Sequence, residues 1–68
     1  MKFNKDSYIM YIRQTDLKSL KVPLKIVNTD NMYSWYQVYF NNKLENFTKT
    51  WIESDFRLAT EVEIILYV

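Results

Sequence analysis

The chain contains neither cysteine nor histidine. Disulfide bonds and zinc sites of the usual Cys/His kind are therefore impossible, and we expect neither a metal nor a cofactor. Small domains often rely on such cross-links, because a core of fewer than about 70–80 residues rarely supplies more than about 3–5 kcal/mol. With 68 residues, 49% of them hydrophobic and 18% aromatic, the chain should form a single domain over residues 1–68. Dense aromatic packing or self-association is then the expected source of stability.

The charge balance and the apolar runs limit the classes of partner. Nine basic and eight acidic residues give a net charge of +1, which provides little general attraction to phosphate polymers. No stretch approaches the roughly 18 apolar residues of a membrane-spanning helix. The first six residues have no apolar run after their lysines, so they do not form a signal peptide. We expect a cytoplasmic protein that does not bind membranes.

Period-two alternation of apolar and polar residues predicts a mainly β chain. The clearest strand lies within residues 20–26, where four apolar residues alternate with Lys21, Pro23 and Lys25. Pro23 cannot donate a ladder hydrogen bond, so we expect an edge or a bulge there. The same pattern predicts strands over residues 7–13, 20–26, 35–40, 47–52 and 61–68.

The connections follow from turn chemistry. The chain has no glycine, so a turn residue with positive φ should be Asn or Asp. Asn-rich clusters predict turns over residues 28–31 and 41–46, and residues 14–19 read as a polar connection. Residues 53–58 are too few for an ordinary helix but suit a 3₁₀ turn. Five short strands with short connections predict a closed or nearly closed antiparallel barrel.

The stretch over residues 20–58 resembles SH3-like small β-barrels. The resemblance rests on the alternating strand, the Trp-Tyr-Gln-Val-Tyr-Phe strand from Trp35 to Phe40, and the segment Thr50-Trp51-Ile52-Glu53-Ser54-Asp55-Phe56-Arg57-Leu58. It implies an all-β, five-stranded antiparallel SH3-like barrel with a 3₁₀ turn before the last strand. Proteins of this fold bind peptides, nucleic acids or other proteins, so the fold does not specify a function. The acidic loop run and paired tyrosine motif of proline-binding SH3 domains are missing.

Catalysis is not expected, because general acid–base chemistry usually needs histidine or two carboxylates in a cleft. The candidate carboxylate pairs are Glu53 with Asp55 and Glu61 with Glu63. The first pair should cap or brace the 3₁₀ turn, through backbone hydrogen bonds or an ion pair with Arg57. The second should form a solvated strand face. No glycine-rich loop is present to hold a phosphate.

The aromatic residues favour a binding surface. If Tyr36, Val38 and Phe40 face the core, then Trp35 and Tyr39 face outward on the same strand. Outward residues of the next predicted strand would add an adjacent aromatic stripe, which typically marks an interaction site. The candidate partner-binding residues are Tyr33, Trp35, Tyr39, Lys49 and Trp51. The alternative is that the face assignment is reversed or that the N-terminal segment covers the stripe.

The sequence leaves two other interactions open, nucleic-acid binding and self-association. Lys21, Lys25, Lys43 and Lys49 could bind nucleic acid beside the aromatics, since small barrels stack bases beside a basic groove; otherwise they are solvated lysines. The last predicted strand has apolar residues on both faces, so the first strand or a second copy in a homodimer should cover it.

We therefore expect a small non-catalytic protein-binding module. Its composition, rich in Asn, Lys, Tyr and Ile, is similar to that of small phage and mobile-element proteins. An accessory or inhibitor protein that docks onto a host or defence complex is the concrete form of this hypothesis. The alternative is a nucleic-acid-binding small barrel.

Overall fold

The computed structural model describes residues 1–67 of the chain. The elements, in chain order, are β1 (Tyr8–Tyr11), a 3₁₀ helix (Lys18–Leu20), β2 (Leu24–Asp30), β3 (Trp35–Phe40), β4 (Lys43–Thr48), α1 (Lys49–Asp55), β5 (Phe56–Leu58) and α2 (Glu61–Tyr67). The strands form one antiparallel sheet in the order β4-β3-β2-β1-β5. The predicted five-stranded antiparallel sheet is thus confirmed, but the all-β prediction holds only as mainly β, because two short α-helices also form. The sheet is not closed, so the predicted barrel is not confirmed.

The two hairpins depend on residues in the left-handed region. Asn41 and Asn42 have φ values of 53° and 64°, which makes a two-residue connection between β3 and β4. A turn with both central residues at positive φ matches the twist of the flanking strands. The predicted turn over residues 41–46 is therefore too long, and β4 begins at Lys43. Asp6 also has positive φ, as predicted for Asp, whereas Ser34 does so without being Asn or Asp.

The β2 strand is displaced toward the C-terminus relative to its prediction. Pro23 directly precedes β2, which begins at Leu24, so its missing N–H removes no bond from the ladder. The strand continues through the predicted turn over residues 28–31 as far as Asp30, and its register with β3 shifts between Ile26 and Asn28. The predicted strand over residues 7–13 is confirmed in part, as β1 (Tyr8–Tyr11).

The segment over residues 47–58 differs most from its prediction. The predicted strand over residues 47–52 is wrong beyond Thr48, because the Thr48 hydroxyl accepts a hydrogen bond from the Trp51 N–H and begins α1. The predicted 3₁₀ turn over residues 53–58 is also wrong. An α-helix runs to Asp55, and β5 follows it directly.

The predicted final strand over residues 61–68 is wrong as well. Residues 61–67 form α2, and Val68 lies outside the described residues. The Thr60 hydroxyl accepts from the Glu63 N–H, while a Glu63 carboxylate oxygen accepts from the Thr60 N–H. This reciprocal pair is a capping box, which starts a helix by satisfying two unpaired backbone donors.

The core lies on one face of the sheet. Its buried side chains are Phe3, Ile9, Leu20, Leu24, Ile26, Tyr36, Val38, Ile52 and Phe56. The sequence left open which face of residues 35–40 is buried, and the structure resolves this: Tyr36 and Val38 are buried and Phe40 packs against the core. On the opposite face of the sheet, residues 1–67 form no comparable buried layer.

Candidate binding groove

A row of side chains crosses the uncovered face of the sheet. Tyr8 of β1 lies opposite Lys25 of β2, Lys25 opposite Tyr39 of β3, and Tyr39 opposite Leu44 of β4. Directly opposed residues share a face of an antiparallel sheet and their side chains are neighbours. The row therefore brings two tyrosines, a lysine and a leucine together from four strands.

This row forms the floor of an open groove of about 630 Å³. The bulge in β2 brings Val27 and Asn28 to the groove beside Gln37 of β3. The full lining consists of Lys5, Asp6, Tyr8, Pro23, Lys25, Val27, Asn28, Gln37, Tyr39, Leu44 and Tyr67. Grooves of this volume, mostly apolar and with a few convergent polar groups, are typical of ligand sites.

The groove has an available positive charge. Its charged lining residues are Lys5, Asp6 and Lys25. The Lys25 Nζ and Asp6 Oδ1 atoms are 4.0 Å apart, and 45% of the Lys25 side chain and 67% of the Asp6 side chain are exposed. Such an exposed pair contributes little and is easily replaced by a ligand carboxylate or phosphate. The rim is positioned by the N–H of Asp6, which donates to the Ile26 carbonyl at 2.7 Å.

Tyr67 of α2 also lines the groove. The same residue lines two smaller adjoining cavities, one with Lys21 and Met10 and the other with Asn41 and Asn42. No residue of α2 is buried, so the helix does not belong to the core. The position of Tyr67 therefore depends on how α2 is attached at its first turn.

The attachment of α2 is an ion pair combined with the capping box. Arg57 of β5 donates to both carboxylate oxygens of Glu63, at 2.8 and 2.7 Å. The Arg57 guanidinium, with the Thr60 N–H, lowers the pKa of Glu63 from 4.5 to about 2, and the same hydrogen bonds raise the pKa of Arg57. A bidentate Arg–carboxylate pair fixes geometry as well as charge. Protonation of Glu63 would therefore loosen α2 and Tyr67 with it.

The predicted aromatic stripe does not form as one surface. Trp35 and Tyr39 lie on the groove face, where Tyr39 is 49% exposed and lines the groove, while Tyr33 lies in the preceding turn and is 73% exposed. Trp51 instead lies on α1, with its ring centroid 5.0 Å from that of Phe47 and 5.1 Å from that of Phe56. Phe47 lies opposite the buried Tyr36, so Trp51 packs on the core side of the sheet.

The four candidate lysines are also separated. Lys25 lines the groove and Lys21 lines an adjoining cavity. Lys43 lies opposite Phe40 at the hairpin end, and Lys49 is the first residue of α1. The sequence thus identified one basic groove residue, and the structure adds Lys5.

The candidate carboxylates make structural contacts. Glu53 accepts from the Tyr36 hydroxyl and from the Lys2 N–H, and Asp55 accepts from the Arg13 guanidinium. Of the two predicted ways to brace residues 53–58, the ion pair with Arg57 is wrong, because Arg57 pairs with Glu63 and Asp55 pairs with Arg13.

Sequence reasoning missed Tyr8, Gln37, Leu44 and Tyr67 as groove residues. The alternation of residues 7–13 places Tyr8 opposite in direction to Ile9, but does not say which of them is buried. The signal for Tyr67 was the Thr60-Glu61-Val62-Glu63 pattern, which matches a capping box. Leu44 was assigned to a turn because the two asparagines were read as part of a longer connection.

Within residues 1–67, no helix is long and apolar enough to cross a bilayer. No protein-family model matches the chain, and no curated protein or solved structure is significantly similar to it.

Proposed function

We propose that the chain is a binding module that takes a segment of a partner protein in the groove on the uncovered face of its sheet. The observation that carries the proposal is the Tyr8–Lys25–Tyr39–Leu44 row, with Tyr67 lining the same groove. Tyrosine provides a large, rigid contact area with one polar tip, which is why it is frequent among residues that dominate binding energy.

The lining indicates the chemistry of the partner segment. The tyrosine rings, Leu44 and Pro23 offer apolar contact, so the segment should present apolar side chains. Lys5 and Lys25 favour an acidic residue beside them. We therefore expect an extended peptide in which apolar residues alternate with at least one Asp or Glu.

The SH3-like form of the fold is part of this proposal. A flat sheet of five strands would separate its outer strands by about 19 Å, four spacings of about 4.8 Å. Yet α1 alone joins β4 to β5, and seven helical residues at about 1.5 Å each span only about 10 Å. Strong curling of the sheet follows, which supports a partly closed SH3-like barrel. We retain a cytoplasmic phage or mobile-element inhibitor as the biological setting proposed from composition.

Nucleic acid is the second candidate ligand. The observation that favours it is the placement of Lys5 and Lys25 beside Tyr8, Tyr39 and Tyr67, since single strands bind by base stacking next to cationic side chains. Binding of this kind weakens steeply between about 50 and 200 mM salt. A peptide held mainly by apolar contact would lose little affinity over the same range.

Selection from a displayed random-peptide library on the immobilised protein tests the proposal. Peptides with apolar and acidic residues should be enriched, and their Kd should rise about tenfold or more for Tyr39→Ala, the range of a residue worth at least about 1.4 kcal/mol. Tyr33→Ala is the matched control, because Tyr33 is exposed but does not line the groove. Equal binding to wild type and Tyr39→Ala would contradict the proposal.

The same variants separate the two ligand classes. Labelled single-stranded DNA and RNA should be titrated with wild type and with Lys25→Glu at low and high salt. Tight, salt-sensitive oligonucleotide binding that Lys25→Glu abolishes would favour the second candidate. Absence of oligonucleotide binding, with enriched peptides, would favour the first.

A further inference from the structure

Among residues 1–67, no strand pairs with the outer edge of β4, which presents a defined set of hydrogen-bonding groups. The two-residue turn makes Phe40 and Lys43 a hydrogen-bonded pair, and such pairs recur at every second residue of β4. The Lys49 N–H donates to the Ser34 carbonyl at 2.8 Å, so this alternation of hydrogen-bonded pairs continues to the end of β4. Lys43, Glu45 and Phe47 therefore bond to β3. The N–H and C=O groups of Leu44 and Asn46 point away from the sheet.

Beside this edge, Leu44 lies between two side chains of opposite charge, Lys43 and Glu45. All three are exposed, and the ion pairs found among residues 1–67 involve other side chains. Leu44 is 53% exposed and lies on the groove face, whereas Lys43 and Glu45 lie on the opposite face. An exposed edge of this kind is a template for another strand.

We propose that β4 pairs with β4 of a second copy, antiparallel, about a two-fold axis at Leu44. In this register the two Leu44 residues exchange both outward-pointing hydrogen bonds. Lys43 of each chain lies opposite Glu45 of the second copy, so the symmetry creates two Lys–Glu pairs. Opposite charges placed directly across two strands are favourable, and like charges are unfavourable.

The neighbouring registers do not have this complementarity. An axis at Lys43 opposes two lysines, and an axis at Glu45 opposes two glutamates. An axis at Asn46 brings Lys43 opposite Lys49 of the second copy. The charge pattern that discourages other edge contacts thus selects the Leu44 register, as expected where charged residues control edge pairing.

The dimer would also join two binding grooves. Leu44 and Tyr39 lie on the same face, so the two copies would place their Tyr39–Leu44 pairs side by side across the axis. The dimer itself does not depend on what the groove binds, because the hydrogen bonds and ion pairs involve only β4.

Sedimentation equilibrium of the full chain, from about 10 µM to about 1 mM, tests the pairing, because a short interface should associate weakly. The average mass should rise from 8.4 kDa toward twice that value. Lys43→Glu and Glu45→Lys should each raise the dimer Kd roughly tenfold or more, since each reverses two symmetric pairs. The double variant Lys43→Glu/Glu45→Lys should restore the wild-type Kd within about threefold.

A second measurement needs no variant and guards against misfolding of the single variants. Amide exchange in the wild type should slow at Leu44 and Asn46 as the concentration rises, because these N–H groups point outward in the monomer. Glu45 should be protected at every concentration. A monomeric mass up to the highest concentration, or a double variant that remains as weak as the singles, would overturn the proposal. Concentration-independent exchange at Leu44 would do so as well.

Discussion

The Tyr36 hydroxyl joins three parts of the chain, and its removal provides a quantitative test of the fold. The Phe3 N–H donates to the Tyr36 oxygen at 3.1 Å, and the Tyr36 hydroxyl donates to Glu53 Oε2 at 2.5 Å. The same carboxylate oxygen accepts from the Lys2 N–H at 2.8 Å. The hydroxyl thus connects the N-terminal segment and β3 to α1 while the Tyr36 ring fills the core.

We expect Tyr36→Phe to lower the free energy of unfolding by about 2–3 kcal/mol. A hydrogen bond to a charged acceptor contributes about 1.5–3 kcal/mol, and the buried Phe3 N–H would lose its partner at a further cost of about 1–3 kcal/mol, which relaxation of the N-terminal segment limits. The ring and its packing stay in place. For a domain of this length each kcal/mol shifts Tm by about 4–8 °C, so Tm should fall by roughly 10–20 °C.

Urea and thermal unfolding followed by tryptophan fluorescence measure the effect, with Tyr33→Phe as the control for an exposed tyrosine. Burial raises the pKa of Glu53, but the Lys2 N–H and the Tyr36 hydroxyl, with the charges of Lys49 and the terminal amine, outweigh it, so the pKa lies below 4.5. Because the pKa of Glu53 is lower in the folded state, its carboxylate stabilises the fold above pH 4.5. This stabilisation is lost as the pH falls through the folded-state pKa. The difference in the free energy of unfolding between wild type and Tyr36→Phe should therefore become smaller in acid. A loss below about 0.5 kcal/mol at neutral pH would refute the role given to the hydroxyl, since ordinary surface substitutions fall within that range.

Three further predictions concern the core, the hairpin and α2. Ile52→Ala should lower the free energy of unfolding by about 2–5 kcal/mol, so that circular dichroism shows a largely unfolded chain. Thr50→Ala, at an exposed position of the same helix, should leave the melting curve nearly unchanged. Asn42→Gly should raise the free energy of unfolding by up to about 1 kcal/mol, and the urea midpoint with it, because glycine adopts positive φ without strain. No change or a decrease would contradict the turn assignment. Glu63 has a folded pKa of about 2 against 4.5, so its contact with Arg57 is complete above pH 4.5 and lost toward pH 2; a carboxyl NMR titration with a midpoint near 4.5 would disprove it.

The sequence predicted the strand Trp35–Phe40 and the turn that follows it, but it placed the first residues of β4 in that turn. Alternation defines the strand Trp35–Phe40 but not which of its faces is buried, and the absence of glycine leaves Asn41 and Asn42 to take positive φ. It failed at residues 61–67 because the segment satisfies two periods at once. Val62, Ile64 and Leu66 alternate as in a strand, while Val62, Ile65 and Leu66 share a helical face. The Thr60–Glu63 capping box favours the helix, and it was visible in the sequence.

The candidate site was less predictable, because the groove depends on the register between neighbouring strands and on which face of the sheet α1 covers. Trp51 was expected outside on a strand, but the Thr48 cap turns the chain into a helix and Trp51 packs with Phe47 and Phe56. The four-strand row also needs the pairing of Tyr8 with Lys25 and of Lys25 with Tyr39. These are contacts between distant segments that alternation within one strand does not specify.

Chemical-shift mapping tests the central claim, that the groove is the binding site, most directly. Isotope-labelled protein should be titrated with a peptide that was enriched on the wild-type protein and binds Tyr39→Ala more weakly, and the perturbed backbone amides assigned. The account predicts that the largest shifts fall on Tyr8, Lys25, Gln37, Tyr39 and Leu44, with little change around Trp51. Shifts centred on Trp51, or on the exposed apolar residues of α2, with the groove amides unmoved, would contradict it.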